Sequence, residues 1–156
     1  MADATDVTEA TEPTEPIEAT GPQMSPGRPF FYSLADLPSR TIAEMAEDSG
    51  ASAEDRDKMF DLFGRDLLTT TILTSPELSV FHESAKPGER VKPHRHGTHQ
   101  LTYVLKGSLI YGNRVTSAGM GYYSPDRLYS WRAGEEGAEW IEIHAGLPGT
   151  FTDPGL

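Results

Sequence analysis

From Asp66 onward, apolar and β-branched residues come in short runs closed by Gly or Pro. "DLLTTTIL" ends at Ser75-Pro76, "ELSVFHES" at Lys86-Pro87-Gly88, and "HQLTYVLK" at Gly107, while "SLIYGN" turns on Gly112-Asn113. "RVTSAG", "GYYS", "LYSW" and "AEWIEIHAG" follow, with Gly134 to Gly137 ahead of the last. Runs of this length and punctuation predict short β-strands, and no ten-residue helical pattern interrupts them. About eight such strands predict a sandwich or barrel, and a jelly roll is a natural solution.

Ahead of the strands the period changes. Thr41 and Glu44 have capping-box spacing, "TIAEMAEDSG" sets Ile42, Met45 and Ala46 on one face, and Gly50 suits the stop. Ser52 offers a second N-cap for "AEDRDKMFDLFG", with Glu54 and Asp55 in its first turn, a Met59–Phe60–Phe63 stripe and Gly64 at its end. Two short helices are therefore expected. "RPFFYSLADLP" before them reads as an extended leading segment whose Phe30, Phe31 and Tyr32 need a surface to cover, on their own domain or on a partner subunit.

Composition separates the first 23 residues from the rest. They carry Asp3, Asp6, Glu9, Glu12, Glu15 and Glu18, no base and no aromatic, and only Met1, Val7 and Ile17 as large apolar side chains. Such a stretch buries too little apolar surface to offset its ordering entropy, so disorder is expected. The chain thus divides into an acidic segment over 1–23, a leading segment with helices over 24–65, and a β-barrel over 66–156. Without those six acids the net charge moves from −11 to −5. A mildly acidic body argues against nucleic-acid and anionic-membrane partners. No run approaches a membrane span, and the acidic start lacks the pattern of a secretory signal. The absence of cysteine excludes disulfides and thiolate chemistry, and a cytoplasmic protein is expected.

Histidine is where candidate chemistry enters. Three of the chain's five histidines, His94, His96 and His99, fall within six residues of "GERVKPHRHGTHQLTYVLKG". In an extended segment His94 and His96 point to one side. Gln100, beyond a Gly97-containing turn, can return to that side and complete an N2O donor set for a divalent first-row metal. His99 falls off this parity and is expected to face solvent or to stand behind the ligands.

The frame Gly88, five residues, His94, one residue, His96, three residues, Gln100, six residues, Gly107 resembles the first motif of the cupin superfamily, G-x5-H-x-H-x3-E-x6-G. "YVLKG" resembles its strand-to-turn ending. The second motif, G-x5-P-x-G-x2-H, can be laid on Gly119 and Pro125, with Arg127 where Gly is usual and Ser130 where a metal-binding His is usual. The resemblance implies an all-β fold, a double-stranded β-helix of jelly-roll type, with a metal inside the barrel. It implies His94 and His96 as ligands, with Gln100 in place of Glu. A neutral amide leaves the metal complex one positive charge higher and holds it less strongly.

A further ligand must come from elsewhere, and Tyr129, Glu142 and His144 are the candidates. In "AEWIEIH" the alternation puts Trp140, Glu142 and His144 on one face and Ile141 with Ile143 on the other. Apolar residues usually take the core side, so the isoleucines are expected inside. If the polar face looks inward instead, Glu142 and His144 can serve as ligand or general base. His82 has the same ambiguity.

The function this resemblance implies is a metal-dependent, dioxygenase-like enzyme acting on a small organic, aromatic or diketone-like molecule. Fe(II) comes first as the metal, with Zn, Ni or Mn as alternatives. Arg127 or Tyr129 at the mouth would stabilise negative charge and Glu142 would move protons. A non-redox lyase, isomerase or cyclase is the alternative within enzymes, and a non-catalytic ligand-binding cupin the alternative outside them. A homodimer is expected, with Phe30 to Tyr32 pairing against a neighbouring sheet edge.

Overall fold

A computed structural model describes residues 29–154 of the chain. The acidic segment over 1–23, expected to be disordered, lies outside the described residues. After a single 3-10 turn at Leu34–Asp36, the chain forms β1 (Ser39–Thr41), α1 (Ile42–Asp48), α2 (Ala53–Phe63) and β2 (Leu68–Thr74). Then come β3 (Ser79–Ala85), β4 (Arg90–His94), β5 (Gln100–Tyr111), β6 (Arg114–Ser117), β7 (Gly121–Ser124) and β8 (Tyr129–His144). All pairings are antiparallel, in the order β1-β2-β3-β8-β5-β6, with β4 also on β8 and β7 also on β5. The expected all-β jelly roll, with two short helices ahead of it, is the fold observed.

Both helices start where their caps predict. The Thr41 side chain accepts from the Glu44 backbone N–H while the Glu44 carboxylate accepts from the Thr41 N–H, a complete capping box. Ser52 accepts from the Asp55 N–H. The two helices form a hairpin that lies over one mouth of the barrel, where Ile42 joins the core and Met45, Met59, Phe60 and Phe63 pack against it. No helix among the described residues is long and apolar enough to cross a membrane.

Glycine inside a run marks a bend here, not a strand end. β5 continues through Gly107, and "LYSW" and "AEWIEIH" belong to one strand that continues through Gly134 and Gly137. The register of β5 on β8 shifts beside Gly107, as at a β-bulge. Gly107 has φ 65°, and a Cβ there would lie 2.1 Å from the Gly137 carbonyl oxygen. This close crossing lets the first part of β8 pair with β4 and its last part with β3. Core packing follows from it: Trp131 and Trp140, one from each part of β8, meet edge to face at 5.0 Å between ring centres.

Candidate metal centre

β4 delivers His94 into the barrel, and the extended backbone beyond it sets His96 on the same side. Arg95, between them, turns away. Its guanidinium pairs with Asp126 at 2.6 Å and with Asp153 at 3.1 Å, and lies 4.8 Å from the centre of the Phe151 ring. Asp126 also accepts the Gly97 N–H at 2.9 Å. The histidine segment is thus fixed from its outer side.

The proton on each ring is fixed by the backbone. His94 Nδ1 is 2.9 Å from the Lys92 carbonyl and His96 Nδ1 is 2.8 Å from that of Gly149. A carbonyl only accepts, so both Nδ1 atoms donate and both neutral rings turn an unprotonated Nε2 inward. These two Nε2 atoms lie 3.2 Å apart, lone pair facing lone pair. The Tyr129 hydroxyl donates to His96 Nε2 at 2.9 Å.

β8 supplies the remainder. Contrary to the expectation from hydropathy, the face that looks inward is the polar one. Trp140, Glu142 and His144 are buried, while Ile141 and Ile143 face outward and are only partly covered. The barrel interior at this end holds a cavity with a cluster of polar side chains on its β4 and β8 side, so on β8 the polar residues take the inward positions. His144 Nε2 lies 3.3 Å from Glu142 Oε2, Thr98 Oγ1 lies 3.1 Å from His144 Nδ1, and the Trp140 indole donates to Glu142 Oε1 at 3.1 Å. Ligand atoms of His96, Glu142 and His144 fall within 4.8 Å of one another, and His94 adjoins them through His96.

Electrostatics suit this set to a cation. Burial is the largest influence on His94 and pushes it down to about 4, against the Lys92 carbonyl. Burial also lowers His96. Burial pushes Glu142 up, but the hydrogen bond from His144, the neighbouring His96 and the Trp140 indole together outweigh it, holding the carboxyl below its ordinary value. Burial and the Glu142 charge raise Tyr129 well above the usual phenol, so its hydroxyl keeps its proton. Neutral imidazoles with converging lone pairs, beside an ionised carboxylate, are what a divalent first-row metal requires. The opposed Nε2 lone pairs of His94 and His96 are relieved by a positive ion between them. The residues fit a divalent metal.

The other expected residues are placed as follows. Gln100 is buried opposite His144 in register, with its amide nitrogen donating to Thr102 Oγ1 at 3.0 Å and its carboxamide bonded to Tyr129. It adjoins the histidines and braces Tyr129. Arg127 is exposed and does not line the cavity, which takes it away from any reacting atom. Ser130 is exposed as well. His99 is exposed and stacks on Tyr123, and His82 lies on the outward side of β3. The carboxylate and third imidazole absent from the motif positions are thus found together on β8.

Sequence reading missed Glu83. It follows Ser79 and Phe81 in inward parity on β3, and pairs in register with Thr69 and Trp140. That parity with Phe81 was the available signal. Burial and then the Glu142 charge push the Glu83 carboxyl well above its ordinary value. The donor cluster and Glu83 open on one cavity of about 210 Å³. Ile42, Met45, Met59, Phe63 and Leu67 form its apolar wall, and Pro148 with Thr150 close it from the C-terminal side. Phe63 packs edge-on against His94 at 5.1 Å between ring centres.

No protein-family model matches the sequence, and no curated protein matches it either. Solved structures do match. A KdgF from a Halomonas species is 20% identical, covers 51% of this chain and 80% of that one, and has a TM-score of 0.47. An RmlC-like cupin protein from Ralstonia eutropha JMP134 is 17% identical over 72% of this chain and 65% of that one, with a TM-score of 0.52. An 11S allergen from Cocos nucifera is 19% identical over 58% of this chain and 31% of that one, with a TM-score of 0.51. The last two likenesses bear on the fold alone, and they agree with an all-β jelly roll. The chain has a cupin-like fold.

Proposed function

We propose that this protein is a metal-dependent enzyme acting on a small, largely apolar organic molecule, and that its reaction consumes dioxygen with Fe(II) as the metal. One observation carries the reading: His94, His96, Glu142 and His144 converge on a cavity that Met45, Met59 and Phe63 also line. A divalent ion held there would supply Lewis-acid polarisation and, as iron, redox chemistry. The chain's own residues do the rest. His94 and His96 present fixed lone pairs, and Tyr129 holds a proton at its hydroxyl beside them. The helix hairpin excludes water and offers an apolar surface to the body of the substrate.

A non-redox reading, with Zn, Ni or Mn, is favoured by one separate observation. Glu83 is a second carboxyl on the same cavity, in a position to move protons. Metal analysis of protein purified without chelator, followed by oxygen-electrode assays on a panel of diketones and catechols, separates the two. Iron with substrate-dependent oxygen uptake is expected, and turnover without oxygen uptake would replace the first reading by the second. No stoichiometric metal after reconstitution with all four ions would end both.

The same reading includes a cytoplasmic homodimer. Its support is the outward face of β5 and β8, where Leu101 and Tyr103 stand about half exposed opposite Ile143 and Ile141, together with the exposed Phe31 and Tyr32. Light scattering should give twice the chain mass, reduced to one by Tyr103→Glu. A monomeric parent would remove the dimer.

A further inference from the structure

Glu83 has more hydrogen-bonding capacity than the protein uses. A carboxyl group offers roughly four lone-pair sites. The protein supplies the Thr69 hydroxyl at 3.4 Å, the outer limit of a hydrogen bond, and the Trp140 indole. That indole N–H already donates to Glu142 Oε1 at 3.1 Å, so one donor is divided between two carboxyls. The charge acting most strongly on Glu83 is that of Glu142, which has the same sign. Glu83 is half-buried and lines the cavity, so its spare acceptor capacity is turned toward whatever occupies that space.

Its surroundings restrict what can satisfy it. Besides Glu83, Thr69 and the donor cluster, the cavity is lined by apolar side chains, Phe81, Leu67, Ile42 and Met45 among them. The cavity also contains the three-imidazole cluster suited to a metal cation, which disfavours a second cation nearby. A hydroxyl both donates and accepts, which matches the carboxyl–hydroxyl pair. A cavity of about 210 Å³ admits a single-ring compound, since benzene occupies cavities of roughly 150 Å³.

We propose that Glu83 and Thr69 form a second polar subsite, which binds the hydroxyl group of an uncharged ligand whose apolar body lies against the Ile42–Met45–Leu67 wall. The subsite rests on the reading of this cavity as the ligand site. It narrows the substrate class to neutral alcohols or phenols with an apolar body, held at a point other than the metal-binding cluster.

The test uses the full chain, with and without bound metal, and the fluorescence of Trp131 and Trp140 as the readout. Benzyl alcohol, toluene and benzylamine are titrated as three probes of nearly equal shape. The parent should bind benzyl alcohol about tenfold tighter than toluene and tighter than benzylamine. Glu83→Leu should bind toluene at least as well as the parent and lose the preference. Glu83→Gln, which keeps a donor and an acceptor, should retain most of it, and Thr69→Val should reduce it to a few-fold. An unchanged preference in Glu83→Leu, or a parent that prefers benzylamine or shows no preference, would overturn the subsite alone. If none of the three probes binds the parent, the cavity is not a ligand site and both readings fall.

Discussion

The Nε2 atoms of His94 and His96 face each other at 3.2 Å while the Nδ1 atom of each ring is committed to a backbone carbonyl. This is a repulsive arrangement for two neutral rings and an attractive one around a cation. It ties together segments about fifty residues apart, because Glu142 and His144 complete the same cluster.

Metal binding should therefore be folding energy as well as chemistry. Protein purified without chelator should carry close to one equivalent of metal, and His94→Ala/His96→Ala should carry almost none. Stripping the metal should lower the melting temperature, since free metal at 1,000 times its dissociation constant adds about 4 kcal/mol to stability. Scanning calorimetry before and after chelation checks this. An unchanged transition would show that the cluster holds no ion in solution.

The lowered His94 gives the metal-free protein an acid-sensitive side. The unfolded imidazole, near 6.5, takes up a proton before the folded one, near 4, so the unfolded state binds more protons between these values. Stability is lost as pH falls from 6.5 toward 4, by at most about 3 kcal/mol from this residue. The raised Glu83 works against this loss, because its folded form is the one that holds the extra proton above pH 4.5. Urea unfolding of chelator-treated protein at pH 7.5, 6 and 5 should show a shallow decline in the parent and a steeper one in Glu83→Gln. Equal slopes would contradict the opposing pair.

Much of this was legible from the chain, for physical reasons that differ by region. Helix starts were local events, decided by Thr41 with Glu44 and by Ser52 with Asp55 within one turn. The His94/His96 parity was likewise local. The inward face of β8 was not, because the rule that apolar residues take the core side assumes an oily interior. At this end the interior holds a cavity with a donor cluster on one side, and Glu142 and His144 take the inward positions of β8 while Ile141 and Ile143 face outward. Gly107 and Gly134 looked like terminators because a glycine that ends a strand and one that bends it have the same sequence signature. Only the partner strand tells them apart.

Arg95 and Asp126 should matter to metal affinity although neither touches the cluster. Their pair holds the segment between His94 and Gly97 from outside. Asp126→Asn should weaken metal binding about tenfold, within the range for residues that orient ligands, with little change in the chelator-treated melting temperature. Competition titration against a chromogenic chelator measures it. An affinity equal to the parent's would assign the pair to stability alone.

Two glycines of similar dihedral should respond very differently to a methyl group. At Gly112, φ 59°, a Cβ meets nothing within 4 Å, so Gly112→Ala should cost about 1 kcal/mol, the left-handed penalty. At Gly107 the same atom would meet the Gly137 carbonyl at 2.1 Å. Gly107→Ala should cost several times more, or leave the protein insoluble, because the β5–β8 crossing must open. Denaturant midpoints of the two variants decide it, and equal costs would show that the crossing yields easily.

The cavity has two walls drawn from separate stretches of sequence. Residues 42–67 supply much of the apolar side, and the candidate metal donors begin only at His94. On the proposed function, what the protein would admit and what it would do to the guest are written in different parts of the chain. Substitution at Met45 or Met59 can change the shape of the guest without moving a donor atom. The helix hairpin is then the place where variants of this protein would acquire new substrates while keeping one chemistry.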